Sequence, residues 1–575
     1  MGSRELLFLI PGLIWSMKNG RNLEMKKTSK LRRALPAALV AFTLLAGGCG
    51  SVGTNSGTPT PAASSTPGTS TPTADTREPG RTLFSENPIT LTYWVPLSAG
   101  AAAVVSSYGE VEIFKELEKL TNIKIDFKHP PAGQEKEQFN LMIAARDLPD
   151  IIEYGWGSYP GGPEKAISDQ IIIKINDLIE ANSPDFKALL DTDANVNKQT
   201  RTDEGSLYMF PAVGVGYVKT TTGTFARQDW LTELGLSAPE TIDEWTEMLT
   251  QFKEKKGAIA ALTGTSGDFD SAINVIGAFG LTRSFYLKDG KVAYGPAEPA
   301  YKDALILLRS WYEKGLLDPD FASNNAKAVE AKIVGSQSGV LINGGIGGTM
   351  GYYLNAMKDQ DPKFDLVALQ FPVLNKGDEP QFTQRAWEVR TSNQLAITTV
   401  NKHPEESARW ANYFFTEEGN ILKNFGIEGL TFNWEGDYPR YSELITNNPE
   451  GLSISNALGK YTRGSTPSPG HIDSRYHEQY FALPQQKAAF ELWAKVSDNS
   501  LNVLMPQVTA TQTETEESST IITTIDAYQK EMFVKFVMGT ESLDNFDAYL
   551  AQLEKMNLTR AIELQQAALD RYNLR

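Results

Sequence analysis

From Ile89 onward the chain alternates two hydrophobic periods, and this alternation constrains its fold more than any other feature. Ile89-Thr90-Leu91-Thr92-Tyr93-Trp94-Val95 is rich in β-branched and aromatic residues and predicts a strand. Val111, Phe114, Leu117 and Leu120 then recur every three residues, which predicts a helix with one apolar face. A strand at Ile123-Lys124-Ile125-Asp126-Phe127, a helix over 135–145 and a buried strand at Asp150-Ile151-Ile152-Glu153-Tyr154 follow. Strand, helix, strand, helix, strand in that order is the pattern of an α/β sheet with helices on its faces. Ligands of such sheets bind beyond the carboxyl ends of the strands. Tyr154 and Trp156 occupy such an end, in Tyr154-Gly155-Trp156-Gly157-Ser158-Tyr159.

The residues before this body cannot join its core. Residues 49–82 consist almost wholly of Ser, Thr, Pro, Gly and Ala and predict a disordered tether with a typical span of about 30 Å. Ahead of it, residues 25–48 read as a signal peptide: a basic start at Met25, an apolar run over 34–46, then small residues. That run is shorter than the roughly 20 apolar residues needed to cross a bilayer. Ala46-Gly47-Gly48-Cys49 resembles the bacterial lipobox, with Ala46 standing where a branched residue is usual. The resemblance implies a diacylglyceryl group on the Cys49 sulfur and cleavage just before it; an ordinary cysteine beside an ordinary cleavage site is the alternative. Cys49 is the chain's one cysteine, so no intramolecular disulfide can form. Two acyl chains, at about 0.8 kcal/mol per buried methylene, suffice for stable anchoring to the outer face of the cytoplasmic membrane. Residues 1–24 carry a second apolar stretch over 6–15 that would spoil the signal, so they read as an upstream extension of a chain that starts at Met25.

Residues 1–48 hold eight basic and two acidic residues; without them 46 Lys and Arg face 68 Asp and Glu, a formal charge of −22. Such a surface argues against nucleic acid and anionic polymers as targets. About 490 residues remain after the tether, too many for one core, so two lobes are expected. Histidine is scarce: His129 and His403 each precede a proline, and His471 and His477 match no metal spacing. No zinc helix motif, phosphate loop or nucleophile elbow appears. Gly344-Gly345-Ile346-Gly347-Gly348 lacks the lysine and hydroxyl that complete a phosphate cradle, and reads as a turn that approaches a ligand or starts a helix. Asp191, Asp193, Asn195 and Asn197 alternate, but Val196 stands where a calcium loop needs glycine, so a solvated loop is expected.

Several short elements resemble, in order, the family 1 extracellular solute-binding proteins of bacteria. Asp147-Leu148-Pro149-Asp150-Ile151-Ile152 looks like that family's "gdlPDii" element, and Gly205-Ser206-Leu207-Tyr208-Met209-Phe210-Pro211 its approach to the first interlobe crossing. Arg227-Gln228-Asp229-Trp230-Leu231, Leu234-Gly235-Leu236, Pro239-Glu240-Thr241 and Asp243-Glu244-Trp245 resemble the block opening the second lobe in the large lipoprotein subgroup. Trp311-Tyr312-Glu313-Lys314-Gly315-Leu316-Leu317-Asp318-Pro319 and Gly339-Val340-Leu341-Ile342-Asn343-Gly344 match later elements, and Phe533, Phe536, Leu543, Phe546, Tyr549 and Leu553 match the C-terminal helices. The resemblance implies a two-lobed α/β fold of the periplasmic-binding-protein type II class, with hinge crossings and an interlobe cleft. Lobe 1 would comprise 83–215 and about 395–430; lobe 2 would comprise 216–394 and about 431–575. It also implies capture of a carbohydrate, an oligosaccharide by the chain's size, for an ABC importer, with no catalysis, no cofactor and a monomeric state. Many subgroup members carry a calcium loop after the helix that here holds Trp245; this chain runs Phe252-Lys253-Glu254-Lys255-Lys256-Gly257-Ala258 instead, so no metal is expected. A surface lyase or glycosidase, and a peptide-binding or sensing lipoprotein, are the rival readings.

Sugars stack their C–H faces on aromatic rings and bond their hydroxyls to planar polar groups. Candidates are Tyr154 and Trp156 at the strand end, the latter matching a stacking position of the family, with a core plug as its alternative. Tyr217 lies near the first crossing, and Trp230 opens the second lobe, where core packing competes. Gly344 marks the glycine turn. Arg385, Trp387, Glu388 and Arg390 precede the strand over 394–398 that resembles the return crossing, and Trp434 is a rim candidate. Leu305, Leu308 and Trp311 have core spacing.

Overall fold

The strands expected at 89–95, 123–127 and 150–154 all form, as β1 (Ile89–Trp94), β2 (Ile123–Lys128) and β3 (Ile151–Tyr154), and they lie parallel. The structure, a computed structural model, describes residues 7–10, 13–16 and 84–575, apart from 215–219, 272, 385–386 and 465–466. Cys49 and the tether lie outside the described residues. The chain divides into units 1–76 and 77–575; in the first, Leu7–Ile10 and Leu13–Ser16 pair antiparallel.

In the second unit two sheets account for the architecture. Beyond β3, the chain forms β4 (Phe210–Val213), then β5 (Thr222–Arg227), β6 (Leu262–Thr263), a hairpin of β7 (Phe285–Lys288) and β8 (Lys291–Tyr294), β9 (Val340–Gly345), β10 (Leu366–Leu369) and β11 (Val389–Ile397). A second hairpin, β12 (Phe432–Glu435) with β13 (Tyr438–Tyr441), precedes the short β14 (Gly470–His471). The first sheet has the order β14-β4-β11-β3-β1-β2 and the second β10-β5-β9-β6. Each contains one antiparallel strand. In the first it is β11, antiparallel to both β3 and β4; in the second it is β5, antiparallel to both β9 and β10. β5 is also the strand that arrives from the first sheet, and β11 the one that returns from the second. Both therefore begin at the edge where their neighbours end, which sets the carboxyl ends of the parallel strands of both sheets along the crossings.

The helices form where one face is apolar. Glu112–Thr121 buries Ile113, Phe114 and Leu117 under the first sheet, and Asn122 ends it in the left-handed region at φ 62°. Ile242–Lys256 opens on a capping box between Thr241 and Glu244, which satisfies two otherwise orphaned N–H donors, and closes at Gly257. The chain then runs directly toward β6. Leu305, Leu308 and Trp311 are buried on Pro299–Glu313, as their spacing predicts. The same core takes Phe533 and Phe536 from Gln512–Met538 and Tyr549 and Leu553 from Phe546–Lys555, so these C-terminal helices complete the second lobe. The last helix, Leu558–Leu574, also reaches the first lobe, where Arg571 Nε donates to Asp203 at 2.5 Å.

One boundary differs from the sequence expectation. Residues 432–461, expected in the second lobe, pack on the first: Phe432, Tyr441, Ile445 and Leu458 share a core with Ile421 and Phe425. Helix Ile454–Tyr461 lies against Ala99–Ala102 so closely that a Cβ on Gly459 would stand 2.5 Å from Ala101 N. The contact is made by small residues, Gly100, Ala101 and Gly459, which carry no hydrophobic periodicity that would reveal it in sequence.

Candidate functional site

Three chain crossings meet at one residue, Val213, the last of β4. Val213 pairs with Val389, the first residue of β11, and with His471 of β14; its carbonyl accepts from Ile472 N at 2.7 Å. Gly214 N donates to Glu388 O at 2.8 Å, so the outgoing and returning crossings are bonded to each other as well. Gln199 clamps the return crossing from the first lobe, accepting from Val389 N at 3.0 Å and donating to the Glu388 carboxylate at 2.6 Å. Gln507 Nε2 adds a bond to Val389 O at 2.8 Å. Adjacent crossings bonded in this way join the two cores at one place, where a hinge between lobes is expected.

On the first-lobe side, Tyr154 ends β3 half-buried, stacked on Phe139 with centroids 4.0 Å apart and edge-on to Trp94 at 6.0 Å. Burial raises its hydroxyl pKa. Gly155 lets this end approach the start of β11, since a Cβ there would lie 3.2 Å from Thr391 O. Trp156 points the other way. It is 0% exposed, its indole N–H donates to Gln394 O at 3.1 Å, and its ring meets Phe139 edge-on at 5.6 Å. Its expected stacking role is therefore corrected: a ring closed in by protein on all sides has no free face for a sugar. Its backbone N–H donates to Gln394 Oε1, which fixes β3 to β11.

Beneath this wall lies a buried ionic cluster. Glu153, 1% exposed on β3, accepts from Tyr93 OH at 2.5 Å and from Ser468 N at 3.2 Å, and pairs with the Arg463 guanidinium. Arg463 also donates to Ser468 O at 2.5 Å and sits over the rings of Tyr93 and Tyr108 at 5.6 and 5.3 Å. Lys423, likewise buried, donates to Gly470 O at 3.2 Å, and burial drives its pKa well down. These bonds fasten the segment that leads into β14, and hence the third crossing, to the first sheet.

On the second-lobe side, β9 runs through Asn343 into the glycine turn, and a π-helical turn, Ile346–Gly351, starts there. Gly344 is buried with Phe225 filling the space above its Cα, so the expectation that it meets a ligand is corrected: the accessible part of the turn is 345 and 347–349. Tyr480 packs on Gly347 and stacks on Tyr476 at 5.4 Å. Trp230 is also corrected. It is 4% exposed, edge-on to Phe252 at 5.2 Å and under the Arg227 guanidinium at 4.9 Å, a packing residue of the second core. Beside the turn, Asp268, Asn343 and Gln384 form a hydrogen-bonded chain.

Trp387 and Glu388 are half-buried at the return crossing, and Trp434 is 39% exposed on the β12–β13 hairpin. Tyr217 and Arg385 lie outside the described residues. The structure thus gathers Tyr154, Trp387 and Glu388 near the strand ends and crossings, and adds Asp268, Asn343, Gln384, Tyr476 and Tyr480, which the sequence reading did not single out. Only Asn343 carried a local signal, an asparagine leading into two glycines. Rings with amide and carboxylate groups can bind a polyol. Among the described residues no group of three or more His, Cys, Asp or Glu side chains could hold a metal ion, and no helix is long and apolar enough to cross a membrane.

Residues 102–421 match the sequence profile described as bacterial extracellular solute-binding protein. The chain is 23% identical over 488 residues to the fructooligosaccharide ABC transporter substrate-binding protein FusA of Streptococcus pneumoniae, which spans 80% of this chain and 87% of FusA. It is 23% identical over 333 residues to the polygalacturonan/rhamnogalacturonan-binding protein YtcQ of Bacillus subtilis, 56% of this chain and 63% of YtcQ. Among solved structures, the alginate-binding protein AlgQ2 without calcium ion matches with a TM-score of 0.70 at 24% identity, covering 86% of this chain and all of AlgQ2, a likeness of fold.

Proposed function

The chain belongs to the bacterial extracellular solute-binding protein family, and from that premise we propose that it captures a carbohydrate between its lobes and delivers it to an ABC importer in the membrane. The observation that carries this reading is the pair of sheets whose strand ends flank three bonded crossings at Val213. A ligand bound to both walls stabilises the closed form, and the importer reads closure; no covalent step is required of the chain. FusA, YtcQ and AlgQ2 are named for binding oligo- or polysaccharides, which supports a carbohydrate of more than one unit. Tyr154, Trp387 and Glu388 are proposed to face it, with Tyr217 and Arg385 as further members and Trp434 at the rim.

A thermal-shift screen tests the ligand class. A carbohydrate at 100 times its dissociation constant is expected to stabilise the protein by about 2.7 kcal/mol. A shift with peptides and none with sugars would replace the carbohydrate by a peptide, and new reducing ends released from glycans would make the chain an enzyme.

The anchor is a separate proposal: lipid on Cys49 holds a monomeric capture protein beside its importer, with the tether giving it reach. Mass spectrometry of the mature N-terminus is expected to find an acylated cysteine at position 49. A mature chain that begins elsewhere, or an unmodified thiol, would remove the anchor and leave the capture role intact.

A further inference from the structure

Family membership leaves the charge of the ligand open, since the named relatives include binders of neutral fructans and of acidic uronate polymers. The second-lobe wall speaks to it. β6 and β9 run parallel, and just past the end of β6 Asp268 accepts from Thr265 N at 2.9 Å and Thr265 Oγ1 at 2.8 Å on one oxygen, and from Asn343 Nδ2 at 3.1 Å on the other. Asn343 Oδ1 in turn accepts from Gln384 Nε2 at 2.7 Å. Asn343 holds φ at 61°, in the left-handed region that asparagine tolerates better than most non-glycine residues, and its side chain is bonded on both sides there. The chain of bonds has a direction. Each amide N–H used in it points toward the carboxylate, and what is left over is acceptor capacity on the Asp268 oxygens and the Gln384 carbonyl together with the second N–H of the Asn343 and Gln384 amides. All three side chains are half-buried.

We propose that the cleft selects a neutral oligosaccharide, whose hydroxyls donate to Asp268, against an acidic one. This rests on the carbohydrate-capture reading and narrows it. A sugar hydroxyl can donate to Asp268 and accept from a remaining amide N–H at once, whereas a uronate carboxylate is acceptor-only and would face Asp268 as a like charge at short range. Among the described residues, the arginines nearest this part of the fold are already engaged, Arg463 by Glu153, Arg475 by Asp473, Arg283 by Asp270, and Arg390 is not free; Arg385 lies outside the described residues. At the glycine turn, the first two N–H groups are already engaged, Ile346 N–H by Thr221 O at 2.9 Å and Gly345 N–H by Thr349 Oγ1 at 3.3 Å. The formal charge of −16 on the whole chain further opposes the approach of a polyanion.

Calorimetry on the full mature chain tests this with two probes: a mixture of neutral oligosaccharides from inulin, starch, mannan and arabinoxylan, and a mixture of oligouronates from polygalacturonan and alginate. The neutral mixture is expected to bind, with affinity unchanged between low and high salt, and the oligouronates to give no heat. Asp268→Asn should weaken neutral binding at least tenfold, measured on the folded fraction because Asp268 also bonds Thr265 and Asn343. Gln384→Ala, at the outer end of the chain of bonds, should weaken it about fivefold and serves if the first variant fails to fold. Binding of oligouronates alone, or wild-type affinity in both variants, would overturn the inference while leaving carbohydrate capture standing. Silence from both mixtures would overturn carbohydrate capture itself.

Discussion

Replacing Arg463 with alanine is expected to destabilise the protein by about 3–5 kcal/mol, read as a lowered urea midpoint. The size follows from what is left behind. Glu153 is 1% exposed, and without the guanidinium its carboxylate would keep only Tyr93 OH and Ser468 N as hydrogen-bond partners, with the one remaining cation of the cluster, Lys423, itself driven toward the neutral form by burial. Residues 462–470 would lose the bond from Arg463 to Ser468 O as well, so the third crossing loosens where it joins the first sheet. The double variant Glu153→Gln with Arg463→Met should recover much of the loss, because an uncharged pair of similar volume needs no compensation. Equal instability in the single and double variants would mean that packing of the arginine over Tyr93 and Tyr108, not its charge, holds the segment.

The first three strands, the helix faces and the core stripe on Pro299–Glu313 were readable because periodicity reports burial directly: Ile151 and Ile152 on β3 and Leu305, Leu308 and Trp311 on the helix have 0–1% exposure. Two-lobed class followed from chain length and the order of family-like elements. The placement of 432–461 did not, since Gly100 and Gly459 meet through absence of side chains, and absence has no period. Site chemistry was less legible still. Asp268 and Gln384 are separated by more than a hundred residues and are related only through Asn343, a contact set by where β9 ends. The glycines flanking Trp156 suggested an exposed loop; Gly155 instead makes room for the carbonyls of Thr391 and Ser392, a demand of β11 that local sequence does not contain.

That correction carries the second large prediction. Trp156→Ala should destabilise the first lobe by about 3–5 kcal/mol, the range for removing a fully buried tryptophan, because it opens a cavity beside Phe139 and Tyr159 and strands the Gln394 carbonyl. Trp156→Phe should lose less, since it keeps most of the apolar volume and forfeits the indole hydrogen bond. In both variants the folded fraction should still bind the wild-type's carbohydrate within a few-fold, because Tyr154, not Trp156, presents its ring at the end of β3. A stacking residue would behave oppositely: its alanine variant would keep the wild-type urea midpoint and lose binding. Measuring midpoint and affinity on the same samples separates the two roles, and a preserved midpoint with abolished binding would return Trp156 to the ligand site.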